Sequence, residues 1–293
     1  MELEHTYIET NGIRLHVVQA GPKSGVPVVL LHGFPEFWYG WSRQIPALAE
    51  AGFRVIIPDQ RGYNLSDKPQ GVRNYRVDEL VNDILGLIDA LDYEKVNLVG
   101  HDWGAVVAWM LAYKHPERLQ RLGILNVPHP LVMRRFLQRD LEQMRRSWYA
   151  FFFQLPWLPE KGMQAADWQG AVRALRGSGK IHTFTNEDIE KYKEAWAQPG
   201  AMTAMLNWYR AAARHQPRWP KEMRIRVPTL MMWGMKDVAL THRMARPSMD
   251  HVEVGSLILF PEATHWVQHD AADEVNHYLM DFLLDKISMQ VRR

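Results

Sequence analysis

The chain has 293 residues, with 35 lysines and arginines against 33 aspartates and glutamates, which gives a formal net charge of +2. This length favours one core with a large insertion, and the nearly balanced charge argues against a nucleic acid or another polyanion as partner. There is no cysteine, which excludes disulfides and thiol chemistry. The first residues lack the basic and apolar regions of a signal peptide, and no apolar run is long enough to span a membrane. We therefore expect a cytoplasmic protein.

The first third of the chain alternates between predicted strands and helices. Asn11-Gly12 between two β-rich segments predicts a hairpin. The apolar runs 27–31 and 53–58 predict buried strands, and from Val77 the apolar residues keep helical spacing. Such alternation favours an α/β fold with a mostly parallel sheet and helices on both of its faces.

The stretch 99–104, with the sequence VGHDWG, has the pattern of a nucleophile elbow. It follows an apolar strand and precedes a segment of helical composition, and its two glycines permit a sharp turn. Asp102 occupies the position at which such turns usually carry a serine. A carboxylate is ionised near neutral pH and suits displacement at an sp3 carbon, which leaves an enzyme ester that water then hydrolyses. The alternative is that Asp102 is simply the N-cap of the following helix.

The strand signal disappears between about residues 131 and 220. Aromatic residues and helix formers dominate there, including six of the twelve tryptophans. We therefore predict a helical cap, 131–220, inserted into an α/β core formed by residues 1–130 and 221–293. The arginines at 134, 135, 139, 145 and 146 are interpreted as a solvated helix face and not as a nucleic-acid surface.

After the predicted cap, two strand-like segments end beside Asp237 and His265. In this fold a catalytic triad follows the chain order nucleophile, acid, histidine, each on the loop after a strand. Asp102, Asp237 and His265 fulfil both conditions, with His265 as general base on water and Asp237 fixing its tautomer. His269 is a rival base, and its spacing from His265 is that of a helical metal pair. The glutamate of the usual zinc motif and a third ligand are not evident, so we predict no metal.

The loop 32–35, with the sequence HGFP, follows an earlier predicted strand. An oxyanion hole in this fold takes one amide from the residue after the nucleophile, here Trp103, and one from such a loop, here Phe34. A cis bond to Pro35 would provide the bend that this requires. The two N–H groups would stabilise the negative oxygen formed when water attacks the ester. The alternative is a plain turn.

These motifs resemble those of the epoxide hydrolases of the α/β-hydrolase superfamily, and the resemblance runs nearly from end to end. Most of the matching segments are shared with the haloalkane dehalogenases, which also use an aspartate. The segments are 32–39, 61–63, 100–104, 234–237 and 264–266. Two segments of the predicted cap, 148–154 and 207–210, resemble those in which epoxide hydrolases place two tyrosines above the nucleophile.

The resemblance implies that an epoxide and water are converted to a vicinal diol through a covalent aspartyl ester, without a cofactor. It implies Tyr149 and Tyr209 as donors to the oxirane oxygen, which becomes an alkoxide when the ring opens. The pocket between cap and core should be apolar, with Trp38 as a wall residue that binds substrate. The expected partner is a small apolar epoxide, and the chain is expected to be a monomer or homodimer.

Two other functions remain open. A haloalkane dehalogenase uses the same triad and, by resemblance, pairs the indole of Trp103 with an asparagine or a second tryptophan. This chain has Phe34 at the asparagine position, but a cap tryptophan can substitute. Fluoroacetate-type dehalogenases carry an arginine where Trp103 stands. A non-catalytic, ligand-binding α/β-hydrolase is expected to have lost a triad or tyrosine member, and none is missing.

Overall fold

The computed structural model describes residues 2–216 and 219–291. The strands are β1 Glu4–Thr10, β2 Ile13–Ala20, β3 Val26–Leu31, β4 Phe53–Pro58, β5 Val96–His101, β6 Leu119–Leu125, β7 Thr229–Gly234, β8 Val254–Phe260 and β9 Gln290–Val291. The α-helices are α1 Ile45–Glu50, α2 Val77–Ala90, α3 Trp103–Lys114, α4 Pro130–Arg139, α5 Leu141–Arg146, α6 Trp148–Phe152, α7 Leu158–Gly177, α8 Asn186–Trp196, α9 Ala201–Arg214, α10 Ala245–Met249, α11 Val267–Asp270 and α12 Ala272–Leu283.

The strands form one sheet in the order β1-β2-β4-β3-β5-β6-β7-β8-β9. Neighbouring strands from β4 through β8 in this order are parallel, and the antiparallel pairs lie towards the two edges. Every residue of β4, β5 and β7 is buried, as expected of strands covered by helices on both faces. The predicted α/β fold with a mostly parallel sheet is confirmed.

The first two strands form the hairpin that the Asn-Gly pair predicts. β1 and β2 are antiparallel, with Thr10 opposite Ile13. Asn11 and Gly12 have φ angles of 44° and 73°, and positive values at both positions are what the favoured two-residue turn requires. This hairpin forms one end of the sheet, away from the loops that follow β3 and β5.

The chain changes direction across the sheet at β3. It passes from β3 to β4 on one side and then returns to β5 on the other side of β3. The loops after β3 and β5 therefore leave the same edge of the sheet side by side. In open α/β sheets such a switch point forms a crevice at the carboxyl ends of the strands, and here it brings the loop 32–36 next to Asp102.

Between β6 and β7 the described residues form six α-helices, α4 to α9, and no strand. α7 is interrupted at residues 165–168, where Ala166, Asp167 and Trp168 have positive φ angles. Residues 217 and 218, beside the expected end of the cap, lie outside the described residues. The division into a core and a cap of residues 131–220 remains a prediction. No helix within the described ranges is long and apolar enough to cross a bilayer.

Candidate active site

Asp102 lies at the sharp turn between β5 and α3. Its φ of 49° and ψ of −125° are strained for a residue with a side chain. The start of α3 also passes very close to β3, since a Cβ at Gly104 would lie 2.2 Å from the carbonyl oxygen of Leu31. Only glycine fits at that position without moving the backbone. This is the strand–turn–helix geometry of a nucleophile elbow, which exposes its central side chain at the edge of the sheet.

The carboxylate of Asp102 does not cap α3. Asp102 occupies the N-cap position, but its side chain accepts no hydrogen bond from the first turn of the helix. Its Oδ1 instead accepts the Phe34 N–H at 2.6 Å, across the crevice between β3 and β5. The approach is so close that a Cβ at Gly33 would lie 2.2 Å from the Cβ of Asp102. The side chain is therefore directed towards the loop after β3 and not towards its own helix.

His265 lies between Asp102 and Asp237. Its Nδ1 is 2.7 Å from Oδ2 of Asp237, and its Nε2 is 3.5 Å from Oδ2 of Asp102. The three residues follow β5, β7 and β8, whose carboxyl ends lie along the same edge of the parallel sheet. The structure thus brings together the three side chains that the chain order and strand ends single out.

The two carboxylates change the protonation of the His265 imidazole. Burial alone lowers its pKa, but attraction to Asp237 and the hydrogen bond and charge of Asp102 outweigh burial and raise the pKa from 6.5 to about 10. Burial alone raises the pKa of the Asp102 carboxyl, but the hydrogen bond and charge of His265 outweigh it and lower this pKa. The free site therefore holds an imidazolium beside the ionised carboxylate of Asp102.

His269, the rival base, is engaged away from Asp102. Its Nε2 lies 2.7 Å from Oε1 of Glu36, which also accepts a hydrogen bond of 2.7 Å from the hydroxyl of Tyr192. Burial raises the pKa of the Glu36 carboxyl, but the neighbouring histidines outweigh burial and hold this pKa well below its usual range. Within the described ranges, no group of three or more histidine, cysteine, aspartate or glutamate side chains is arranged to hold a metal ion.

Two residues behind the triad are functional candidates that the sequence analysis did not identify. The buried Asn126 donates from Nδ2 to Oδ2 of Asp237 at 2.8 Å and accepts the Gly234 N–H at 2.9 Å. The Nε2 of His101 lies 2.9 Å from the carbonyl oxygen of His265. Asn126 directly follows β6. Its position as a polar residue at the carboxyl end of a predicted strand could have identified it as a site residue. For His101, only its position directly before Asp102 could have indicated a role in the site.

Tyr149 and Tyr209 reach the site from α6 and α9. Their rings are 6.0 Å apart, and the Tyr209 ring packs edge-on against Trp103 at 5.0 Å and Phe34 at 5.4 Å. Burial, and after it the negative charge of Asp102, raises the pKa of both phenols. Both hydroxyl groups are therefore protonated and can donate. The Tyr149 hydroxyl has no hydrogen-bond partner among the described residues, which leaves it available to a ligand.

The remaining predicted site residues are Phe34, Trp103 and Trp38. The Phe34–Pro35 peptide is cis, and the Phe34 N–H reaches the Asp102 carboxylate. Trp103 is the first residue of α3, and the role of its amide in an oxyanion hole remains a prediction. The Trp38 ring contacts His5, Phe37 and Tyr39, and its substrate-binding role remains a prediction.

Two buried tryptophans of the helical segment donate hydrogen bonds to backbone carbonyls of the sheet loops. The indole N–H of Trp196 donates to the Pro35 carbonyl at 2.6 Å, and that of Trp208 donates to the Arg61 carbonyl at 3.0 Å. These two N–H groups are therefore not free to bind a halide beside Trp103, as a dehalogenase of this type requires.

Known proteins with similar sequences and structures agree with this architecture. Residues 26–272 match the family model of the alpha/beta hydrolase fold. The chain is 48% identical to AB hydrolase superfamily protein YfhM of Bacillus subtilis, over 94% of this chain and 96% of that protein. It is 37% identical to Epoxide hydrolase 4 of Homo sapiens, over 96% of this chain and 79% of that protein.

Among solved structures, an epoxide hydrolase from Bacillus megaterium in complex with an inhibitor superposes with a TM-score of 0.87 at 32% identity. The alignment covers 95% of this chain and 100% of that one. Epoxide hydrolase VrEH1 from Vigna radiata superposes with a TM-score of 0.85 at 27% identity, over 97% of this chain and 98% of that one. The chain therefore belongs to the alpha/beta hydrolase fold family and, within it, to the epoxide hydrolases.

Proposed function

We propose that this chain hydrolyses epoxides to vicinal diols through a covalent ester on Asp102. The observation that carries the proposal is the pairing of an aspartate elbow with two protonated tyrosines, whose rings lie 6.0 Å apart beside Trp103 and Phe34. A leaving halide needs no proton, whereas an opening oxirane produces an alkoxide that does. Membership of the epoxide hydrolases supports the same conclusion.

In the first half-reaction, a carboxylate oxygen of Asp102 attacks a carbon of the oxirane ring. A new carbon–oxygen bond forms, and the ring bond from that carbon to the oxirane oxygen breaks. The hydroxyl groups of Tyr149 and Tyr209 donate hydrogen bonds to the oxygen as it becomes negative, and one of them supplies a proton. The hydrogen bond from the Phe34 N–H to Oδ1 of Asp102 fixes the orientation of the nucleophile.

In the second half-reaction, His265 activates water. Asp102 is neutral as an ester, so His265 loses the attraction of the Asp102 charge, which helped to raise the pKa of its imidazole. The imidazolium then gives up its proton, which restores the hydroxyl of the tyrosine that was deprotonated in the first half-reaction. Neutral His265 then takes a proton from a water molecule that attacks the ester carbonyl. Asp237 holds the Nδ1 side of the ring and stabilises the imidazolium. The Phe34 and Trp103 amides stabilise the oxyanion until the bond between the Asp102 acyl carbon and the diol oxygen breaks. The departing diol oxygen takes a proton from the carboxyl group formed on Asp102, which returns Asp102 to its carboxylate.

We propose a small apolar epoxide as the substrate, because aromatic rings surround the nucleophile. Tyr209 packs against Phe34, Trp103 and Phe153, and Tyr149 packs against Phe153. Trp38 is proposed as a further wall of this pocket. A cytoplasmic location and a monomeric or homodimeric state remain predictions from the sequence.

A two-substrate assay tests the proposed reaction. The chain is incubated with styrene oxide and, separately, with a primary bromoalkane, while diol and bromide are measured against an Asp102→Ala control. We expect diol from the epoxide at a rate that the control lacks, and no bromide above the control. Bromide release without diol formation would reject the proposal and identify a haloalkane dehalogenase.

A further inference from the structure

The exposed large apolar side chains are concentrated in one part of the described chain. Seven of thirteen lie in the segment 137–158, although it is a small fraction of the sequence. We call these seven the outer patch: Leu137, Leu141, Trp148, Phe151, Leu155, Trp157 and Leu158. Leu141, Trp148 and Phe151 are 70%, 64% and 69% exposed. Single exposed apolar residues are common on protein surfaces and need no explanation, but a cluster of them does. An exposed apolar cluster of this kind marks an interaction surface.

The outer patch lies on consecutive short helices, from the end of α4 to the start of α7. α5 and α6 are separated only by Ser147, and residues 141, 145, 148 and 151 recur every three or four positions along them. Leu155 and Trp157 lie between α6 and α7. The opposite side of α6 carries Tyr149, whose ring faces Phe153 and Tyr209 in the candidate active site. One short helix thus presents Tyr149 to the site and Trp148 and Phe151 to the outside.

The charge around the outer patch is positive. The exposed Arg139, Arg145 and Lys161 form no ion pair with a described carboxylate, and the Lys161 ammonium lies 4.8 Å from the ring centre of Trp157. The acidic residues of the same segment are already paired with arginines: Asp140 with Arg243, Glu142 with Arg146 and Glu160 with Arg210. The surface therefore combines apolar rings with basic groups that lack anionic partners.

We propose that the outer patch docks onto an anionic lipid bilayer. Tryptophan, phenylalanine and leucine side chains enter the boundary between headgroups and acyl chains, while arginine and lysine attract anionic headgroups. Tryptophan suits this boundary because its ring is apolar and its N–H is polar. The docked orientation places α6 at the lipid surface, so an apolar molecule dissolved in the bilayer has a short path to Tyr149.

A second copy of the chain fits the outer patch less well. Two copies related by a two-fold axis would present the same surface to each other. Arg139, Arg145 and Lys161 would then face the same positive charges of the partner copy without described acids left to pair them. An anionic bilayer provides opposite charge at the same place. The inference does not depend on the proposed reaction, because it rests on surface residues that do not touch Asp102.

Co-sedimentation of the full chain with vesicles tests the proposal. We expect binding to vesicles of phosphatidylcholine mixed with phosphatidylglycerol, weaker binding to phosphatidylcholine alone, and weakening of the first by salt. The double variant Trp148→Ser/Phe151→Ser should lose about tenfold or more in affinity, because it removes two rings that become buried in the bilayer on binding. Arg139→Gln/Arg145→Gln should lose roughly thirtyfold in affinity on the mixed vesicles only. Ile181→Ser, at a residue 90% exposed outside the patch, should bind like the parent.

Several outcomes would overturn the proposal. The first is no sedimentation of the parent chain with mixed vesicles, and the second is equal binding to both vesicle types. A third is equal loss of binding in Ile181→Ser and in the patch variants. If the parent sediments as a dimer and Trp148→Ser/Phe151→Ser as a monomer, and neither binds vesicles, the outer patch is an interface between copies. Melting temperatures of all variants show whether each remains folded, and the arginine variant tests the proposal even if the aromatic one unfolds.

Discussion

Replacing both Tyr149 and Tyr209 by phenylalanine tests the assignment of epoxide activation. Each substitution removes a hydroxyl and keeps a ring whose contacts, at 5.0 to 6.0 Å between ring centres, persist. The Tyr149 hydroxyl has no hydrogen-bond partner among the described residues, and the oxygen of the Tyr209 hydroxyl accepts a hydrogen bond from the Trp103 side chain. We therefore expect the double variant to lose only about 1 kcal/mol in free energy of unfolding, the size of one hydrogen bond.

The effect on the rate should be far larger than the effect on stability. Removal of one preorganised donor to a developing oxyanion costs about a hundredfold or more in rate. Each single phenylalanine variant should therefore form the Asp102 ester about a hundredfold more slowly. Because either tyrosine can partly replace the other, the two losses need not add. Without both donors, the site lacks the two hydrogen bonds to the developing alkoxide, and ester formation should fall by at least about a thousandfold.

The assay is a single turnover of styrene oxide with excess enzyme, in which intact mass records the ester and chromatography records the diol. Tyr39→Phe is the matched control, because the Tyr39 hydroxyl donates to Asp188 at 2.8 Å, outside the triad. It should form the ester at the parent rate. If the double variant hydrolyses the epoxide like the parent, the assignment of both tyrosines is wrong. Bromide release from a bromoalkane by the double variant would instead indicate a dehalogenase.

Three further predictions follow from the triad. His265→Gln should accumulate the ester, seen as an intact-mass increase equal to the epoxide, while His269→Gln should turn over; the reverse result would reassign the base. Asn126→Ala removes a hydrogen bond to the charged Asp237 and should slow ester hydrolysis about tenfold with little change in ester formation; equal slowing of both steps would refute a positioning role. Because folding raises the pKa of His265 from 6.5 to about 10, its stabilising contribution is complete below pH 6.5 and is lost as the pH rises towards 10. Urea titrations should therefore show stability falling over this range in the parent and falling less in His265→Gln, and equal slopes would contradict the raised pKa.

The sequence was sufficient for the sheet and the triad because both follow from local patterns and one topological rule. Continuous apolar runs predicted buried parallel strands, and parallel strands bring their carboxyl ends to one edge. Asp102, Asp237 and His265 each follow such a strand, so their proximity could be predicted without knowledge of the packing. The two tyrosines had no comparable local signal, and only the family resemblance singled them out.

Other features depend on contacts that no local pattern encodes. Glu36 was visible as part of a motif, but its hydrogen bonds to His269 and Tyr192 join segments far apart in the chain. Trp38 lies beside the loop of Phe34 in sequence, yet its ring packs against His5 from the first strand. The interruption of α7 at 165–168 lies between Gly162 and Gly170, where a Cβ at Gly170 would lie 2.0 Å from the Gly162 carbonyl oxygen, a close approach that the sequence did not predict.

In the proposed mechanism Asp102, and not water, attacks the epoxide. A single turnover with excess enzyme in oxygen-18 water tests it directly, because the ester mechanism transfers an oxygen of Asp102 to the diol. We expect mostly unlabelled diol from this first turnover and the heavy oxygen in the peptide that contains Asp102. Fully labelled diol from the first turnover, with no label in that peptide, would show direct attack by water and contradict the ester mechanism.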